Sequence, residues 1–156
     1  MTSLRFEQWV PFAPQRVFLF FADPRNLPRI MPPNTATRIV EIRSAPPSDE
    51  TESLSRPGTE VVTSFRPIPF LPIRTQWIAL ITEFEPNQHF ADVQKTGPFK
   101  SWHHRHEFSA QMHDGFNGTI VRDVINYDVG FGFVGRLADA LFVRRTFDAM
   151  SRFCYP

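Results

Sequence analysis

Alternating hydrophobic and polar residues run through most of the chain, and this pattern predicts β-strands. In the first such segment, residues 4–12, the pattern places Leu4, Phe6 and Val10 on one face and Trp9 on the other. Similar runs predict further strands at residues 37–43, 58–66, 74–84 and 118–129. These strands lie close together along the chain, so we expect an antiparallel sheet.

Helical patterns flank this strand-rich region. Pro14 suits the first turn of a helix at residues 14–22, and Asp23 is placed to cap a second short helix at 24–30. Between Phe133 and Phe153 apolar residues recur at three- and four-residue steps, which predicts a helix spanning roughly 30 Å. The order indicates an α+β fold formed by a single domain, residues 1–156, with a curved antiparallel sheet around a long C-terminal helix.

The segment 92–108 is the most informative, and it is predicted to be a β-hairpin that turns at Gly97 and Pro98. Because strand side chains alternate, the aromatic and imidazole groups of its second strand share one face. That face carries Trp102, His104, His106 and Phe108, and the opposite face carries His103, Arg105 and Glu107. Imidazoles among large aromatics are unusual in a dry core, since buried polar groups need partners. We interpret this face as the wall of a ligand cavity.

Three blocks of the sequence resemble one known group of proteins. They are PFAPQRVFLFFADPRNLPRIMPP, FADVQKTGPFKSWHHRHEF and GTIVRDVINYDVGFGFVGRLA. The chain resembles the START-like helix-grip superfamily (SRPBCC), and within it the bacterial branch related to coenzyme Q-binding START and polyketide-cyclase proteins. Gly130 departs from the pattern because it stands where a proline is expected. The resemblance implies a cavity between sheet and terminal helix that holds an apolar ligand.

These observations predict a binding protein, a carrier or sensor, for a small hydrophobic or amphipathic molecule such as a lipid, an isoprenoid quinone or an aromatic polyketide. No cofactor is expected. The predicted ligand-binding residues are Trp77, Phe90, Asp92, Gln94, Trp102, His104, His106, Phe108, Asp123, Tyr127, Leu137 and Leu141.

Other roles for the same polar residues stay open. As proton donors and acceptors, His104, His106, Asp92 and Asp123 would serve a cyclase, dehydratase or hydrolase. Alternatively, the two histidines would form a purely structural polar network with Asp92, Gln94 and Asp123. A metal site is a third role for the His-x-His pair, and we expect no metal there. The cupin metal pattern is excluded, since it needs an acid four or five positions after the pair, where Ala110 and Gln111 stand.

Composition indicates which partners and which cellular compartment to expect. The formal net charge is +1 and the basic residues are scattered, so no nucleic-acid partner is expected. The single cysteine, Cys154, fits a reducing compartment, and the sequence shows neither a signal peptide nor a membrane span. We therefore expect a cytoplasmic protein. The proline-rich segment PIPFLP, residues 67–72, would either fold onto the sheet's own core or form an apolar lip at the cavity mouth, capable of transient membrane contact. The oligomeric state is not indicated.

Overall fold

The structure is a computed structural model that describes residues 1–45, 55–67 and 71–130. A curved sheet of seven antiparallel strands dominates it. The strands are β1 (Thr2–Val10), β2 (Arg38–Arg43), β3 (Glu60–Phe65), β4 (Thr75–Glu85), β5 (His89–Thr96), β6 (Ser101–His113) and β7 (Phe116–Asp128). From β2 to β7 each strand pairs with the next one along the chain, and β1 pairs with β7 at one edge. The predicted antiparallel sheet is confirmed.

Two short helices connect β1 to β2, as predicted. Helix α1 spans Pro14–Ala22, and α2 spans Leu27–Ile30 after a 3₁₀ turn at Pro24–Asn26. Asp23 caps this turn, because its Oδ1 accepts a hydrogen bond from the backbone N–H of Arg25 at 3.0 Å. Within the described part of the chain, no helix has the length and apolar character needed to cross a membrane.

Helix α1 packs on β6 and β7, and we call the face of the sheet that it covers the inner face. Phe18 of α1 is only 2% exposed. Its ring lies 5.3 Å from that of Phe84, 5.4 Å from that of Phe108 and 6.1 Å from that of Phe90. These rings, with Phe21, form the phenylalanine cluster, which fills one end of the inner face.

A second apolar cluster occupies another part of the inner face. It is centred on the buried residues Trp102, Ile125 and Tyr127, and we call it the tryptophan cluster. Trp77 packs edge-on against Trp102 with 5.0 Å between ring centroids, and Phe99 contacts both tryptophans. The inner face therefore carries two separate groups of aromatic side chains.

Charged side chains line the outer face of the sheet. Arg122 of β7 pairs with Glu7 of β1 at 2.6 Å and with Glu107 of β6 at 3.1 Å. Further along, Glu60 of β3 pairs with Lys95 of β5 and with Arg43 of β2. Cross-strand ion pairs of this kind are typical of a face that contacts solvent. The outer face is therefore charged, whereas the inner face is largely aromatic.

Some predicted features lie outside the described residues. They are the terminal helix at 133–153 with Leu137 and Leu141, residues 46–54 of the polar, proline-rich segment 44–57 that the sequence predicts to be a loop, and residues 68–70 of the PIPFLP segment. β3 ends at Phe65, just before that segment, which agrees with the expectation that its prolines stop the strand.

Candidate functional site

Three adjacent strands bring the predicted polar residues together on the inner face. On β6, His104 and His106 are two positions apart and so point the same way. In the sheet register Asp92 of β5 lies directly opposite His104, and Asp123 of β7 lies directly opposite His106. Directly paired residues on neighbouring strands project to the same face. We call these four side chains the His–Asp cluster.

Asp123 contacts both imidazoles through a single oxygen. His104 Nε2 lies 3.1 Å from Asp123 Oδ1 and forms a hydrogen bond with it. His106 Nδ1 lies 2.5 Å from the same oxygen, but its N–H is poorly aligned for a hydrogen bond. The other ring nitrogen of His104, Nδ1, lies 4.0 Å from Asp92 Oδ2, and the two imidazole centroids are 3.9 Å apart. The four groups therefore form one compact unit.

Burial makes the charges of this cluster interact strongly. Each of the four side chains is only 14–15% exposed. Burial alone would lower the pKa of His104, but the hydrogen bond and charge of Asp123, with the charge of Asp92, raise it. Burial and the positive charge of His104 together lower the pKa of His106. Burial opposes ionisation of Asp123, yet the two histidines hold its pKa well below the ordinary value.

These shifts give the two imidazoles different chemical capacities. Because its pKa is raised, His104 holds a proton more readily and is suited to donate a hydrogen bond or a proton. Because its pKa is lowered, His106 stays neutral and offers a lone pair on one ring nitrogen. The cluster thus places a hydrogen-bond donor, His104, beside a hydrogen-bond acceptor, His106, and the ionised carboxylate of Asp123 contacts both rings.

Aromatic rings border this cluster on two sides. The Phe90 ring lies 4.5 Å from that of His106, and the Phe21 ring lies 5.9 Å from it. Trp102 is 5.9 Å from His104 on the side of the tryptophan cluster. The polar groups therefore lie between the two aromatic clusters.

The accessibility pattern agrees with the predicted strand register. Trp102 and Phe108 are buried and the two inner-face histidines nearly so, whereas the side chains of His103 and Arg105 are 36% and 31% exposed. A slip of one residue would have reversed this pattern. The predicted alternation along β6 is confirmed.

Other predicted ligand-binding residues lie outside the His–Asp cluster. Gln94 instead stabilises the turn of the hairpin, because its Nε2 donates to Phe99 O at 2.7 Å and its Oε1 accepts from Phe99 N at 3.1 Å. Tyr127 is fully buried in the tryptophan cluster, where its ring lies 5.6 Å from that of Phe99. Trp77 belongs to the same cluster, and Leu137 and Leu141 lie outside the described residues.

Phe21 and Phe99 were missing from the predicted site. Phe21 reaches His106 because α1 folds back over the sheet, and Phe99 reaches the tryptophans from the hairpin turn. The apolar spacing of α1 indicated that Phe21 is buried, but only the packing of the helix shows what it contacts.

The structure also contains an open surface cavity of about 270 Å³ beside the β6–β7 hairpin. Its lining is mostly apolar and consists of Ala13, Pro14, Ala110, Gln111, Met112, Asn117 and Gly118. None of these residues belongs to the predicted site, and none bears a group suited to acid–base chemistry. The His–Asp cluster is the stronger candidate, because it joins buried titratable groups to aromatic surroundings.

The described residues define an α+β protein: a curved antiparallel sheet of seven strands with two short helices after its first strand, and a polar cluster among aromatic side chains on one face. The family described as polyketide cyclase / dehydrase and lipid transport has a model that matches residues 10–154. The chain therefore belongs to this family, and its resemblance to the START-like (SRPBCC) superfamily is confirmed. No curated protein sequence matches it significantly.

Solved structures show the same fold at low sequence identity. Protein Ms6760 from Mycobacterium smegmatis is 17% identical with a TM-score of 0.65, over 97% of this chain and 87% of that one. TTHA0849 from Thermus thermophilus is 14% identical with a TM-score of 0.60, over 98% and 97% of the two chains. Ginseng major latex-like protein 151 from Panax ginseng is 14% identical with a TM-score of 0.57, over 95% of each. At such identities the likeness concerns the fold alone.

Proposed function

We propose that this chain, as one domain, binds a small hydrophobic or amphipathic molecule between the inner face of its sheet and a long C-terminal helix. It would act as a carrier or sensor. The observation that carries the proposal is the His–Asp cluster lying between two aromatic clusters on one face. The family description, which joins lipid transport with polyketide chemistry, supports a ligand of this kind.

The polar end of the ligand would be held by the two inner-face imidazoles. A raised pKa makes His104 a donor to a carbonyl or phenolate oxygen, while neutral His106 accepts from a hydroxyl. Trp102, Trp77 and Phe90 would contact the apolar body. This combination suits an isoprenoid quinone, an aromatic polyketide, or a lipid with a polar head group.

Native mass spectrometry of the purified protein, followed by lipid extraction, would test whether it carries such a molecule. Titrations with decylubiquinone, oleate and a hydroxyanthraquinone would then compare the affinities of the protein for a quinone, a lipid and an aromatic polyketide. His104→Ala and His106→Ala remove the polar contacts, and His103→Ala on the outer face is the matched control.

Each inner-face substitution should weaken affinity for the bound probe roughly twofold to tenfold, since one hydrogen bond contributes about 0.5–1.5 kcal/mol. The loss would be larger if a buried ligand group lost its only partner. His103→Ala should leave affinity unchanged. Unchanged affinity in both inner-face variants would remove the main support for this site.

A second candidate function is acid–base catalysis by a cyclase, dehydratase or hydrolase. It is favoured by the opposite pKa shifts of His104 and His106, because a donor and an acceptor at one site are what proton transfer needs. Loss of a general base would reduce turnover of a polyketide substrate by roughly 10²–10⁴-fold while leaving ground-state affinity largely intact. Binding without turnover in the wild-type protein would instead favour the carrier.

We further propose that the protein binds its ligand in the cytoplasm and has no nucleic-acid partner, because its single cysteine fits a reducing compartment and its formal net charge is only +1. Leu71, within the PIPFLP segment, and Ile73, directly after it, are exposed large apolar residues, which supports transient membrane contact during ligand uptake. Co-sedimentation with neutral phosphatidylcholine vesicles, compared with an Ile73→Ser variant, would test this contact. Equal sedimentation of the two proteins would exclude a role for Ile73.

A further inference from the structure

The His–Asp cluster contains three groups arranged as metal ligands. A ring nitrogen of His104, a ring nitrogen of His106 and a carboxylate oxygen of Asp92 all lie within 4.8 Å of one another. Whereas the sequence alone led us to expect no metal at the His-x-His pair, we infer that these three residues form a binding site for a divalent first-row transition-metal ion, with Zn²⁺ as the expected occupant. Binding of the ion needs no organic ligand, so this inference does not rest on the proposed function.

One pair of ligand atoms already lies close to the spacing of an assembled site. In tetrahedral zinc sites the metal–ligand bonds are about 2.0–2.2 Å, which places neighbouring donor atoms about 3.3 Å apart. His104 Nδ1 and Asp92 Oδ2 are 4.0 Å apart. Closing that gap needs a side-chain movement of less than about 1 Å, and the paired strands β5 and β6 hold both Cα positions.

Asp123 is placed as an outer partner of this site. It accepts a hydrogen bond from His104 Nε2, which leaves Nδ1 as the nitrogen directed toward Asp92. Ligating histidines in proteins almost always donate their other N–H to a carboxylate or carbonyl group, which orients the ring and raises its basicity. The contact between Asp123 and His104 reproduces that arrangement.

The donor set and the charges favour a transition metal over Mg²⁺ or Ca²⁺. Two imidazole nitrogens and one carboxylate suit Zn²⁺ or Fe²⁺, whereas Mg²⁺ and Ca²⁺ prefer sites made only of oxygen donors. The two carboxylates, both largely buried, would offset the charge of the ion. Three protein ligands also leave a coordination position for water or for an oxygen atom of a bound molecule.

The outer face offers a matched comparison. His103 Nε2 lies 3.8 Å from Glu83 Oε1, and His89 Nε2 lies 3.6 Å from Glu83 Oε2. This group also combines two imidazoles with a carboxylate, but Glu83 is 38% exposed and also pairs with Arg105. A competing cation disfavours metal binding there, so variants at His103 test whether any bound metal is specific to the inner face.

The test uses the full chain freed of metal by a chelator and titrated with Zn²⁺ and Co²⁺ at pH 8. Calorimetry would give the stoichiometry, and the visible absorption of Co²⁺ would report nitrogen ligation. We expect one ion per chain, retained in excess Mg²⁺. His106→Ala, His104→Ala and Asp92→Asn should each weaken Zn²⁺ affinity by about 100-fold or more, and Asp123→Asn by about 10- to 100-fold. His103→Ala should bind as the wild type does.

Circular dichroism of each variant would show that it is folded, and His106→Gln would replace any variant that is not. Absence of saturable Zn²⁺ binding, or equal affinity in the folded His106 and His103 variants, would overturn the inference. A parallel titration of the metal-free protein with oleate and decylubiquinone separates the two proposals. Ligand binding without metal binding would contradict the metal site alone, and metal binding without ligand binding would contradict the proposed function alone.

Discussion

At the scale of single residues, one close approach between strands depends on a missing side chain. Gly118 of β7 lies against β1, where a Cβ atom would stand 2.4 Å from the carbonyl oxygen of Val10 and 2.5 Å from the Trp9 ring. The carbonyl belongs to the backbone, so it cannot move aside without disturbing the pairing of β1 with β7. At Gly115, by contrast, a Cβ would have nothing within 4 Å.

We therefore expect Gly118→Ala to reduce the free energy of unfolding by about 1–3 kcal/mol, the usual range for overpacking. Chemical denaturation measured by tryptophan fluorescence would give this value. Asn117→Ala, at the neighbouring exposed position, is the control and should change stability little. Equal stability of the two variants would mean that β1 does not approach β7 as closely as described.

At the scale of elements, helix α1 stabilises the sheet through one residue in particular. Phe18 inserts between the rings of Phe84, Phe90 and Phe108, while its neighbour Leu19 points to solvent and is 61% exposed. The helix therefore attaches to the inner face mainly through the phenylalanine cluster.

We therefore expect Phe18→Ala to reduce the free energy of unfolding by about 3–5 kcal/mol, because it removes a large buried ring and leaves a cavity. Leu19→Ala in the same helix turn should cost far less. Thermal unfolding of both variants, followed by circular dichroism, would compare them. If they melted at the same temperature, α1 would not be packed on the sheet as described.

At the scale of the whole molecule, ion pairs across the outer face make stability depend on pH. The hydrogen bond from Lys95, helped by Arg43, lowers the pKa of Glu60 below its ordinary value of 4.5. Since the carboxylate is favoured in the folded state, its contribution is present above pH 4.5 and is lost as the pH falls through the lower folded-state value.

Glu60→Gln should therefore lower the melting temperature at pH 7, with a difference from wild type that shrinks as the pH is brought below 4.5. Melting curves recorded at several pH values between 7 and 3 would measure this. Glu85→Gln, at an exposed position at the end of β4, is the control. A pH-independent difference between Glu60→Gln and the wild type would contradict the assignment.

The proposed terminal helix also belongs to this scale. We expect the face of this helix that carries Leu137 and Leu141 to close the cavity. Leu141→Asp would then bury an unpaired charge, which would either reduce the free energy of unfolding by several kcal/mol or raise the pKa of the new carboxylate. Arg136→Asp is the comparison, because a 3.6-residue period places Arg136 on the side of this predicted helix away from its apolar residues. A soluble Leu141→Asp variant with an unchanged melting temperature would remove this helix from the core.

The sequence by itself determined the strands, the two short helices and the residues that share a face, because these depend on local periodicity and on proline and capping chemistry. It therefore placed His104 and His106 together and His103 opposite them. Strand ends were determined less closely: β6 continues to His113 rather than ending at Phe108, since its pairing with β7 persists to that point.

Only the tertiary structure decided which residues from different strands meet. Periodicity gives the face of a side chain, but the register of one strand against the next decides that Asp123 lies opposite His106 and Asp92 opposite His104. The tertiary structure also decided that the Gln94 side chain forms hydrogen bonds with the backbone of the hairpin turn, and that Phe21 of α1 contacts His106. These contacts join residues far apart in sequence, and their energy comes from packing and buried charge, which local sequence patterns do not encode.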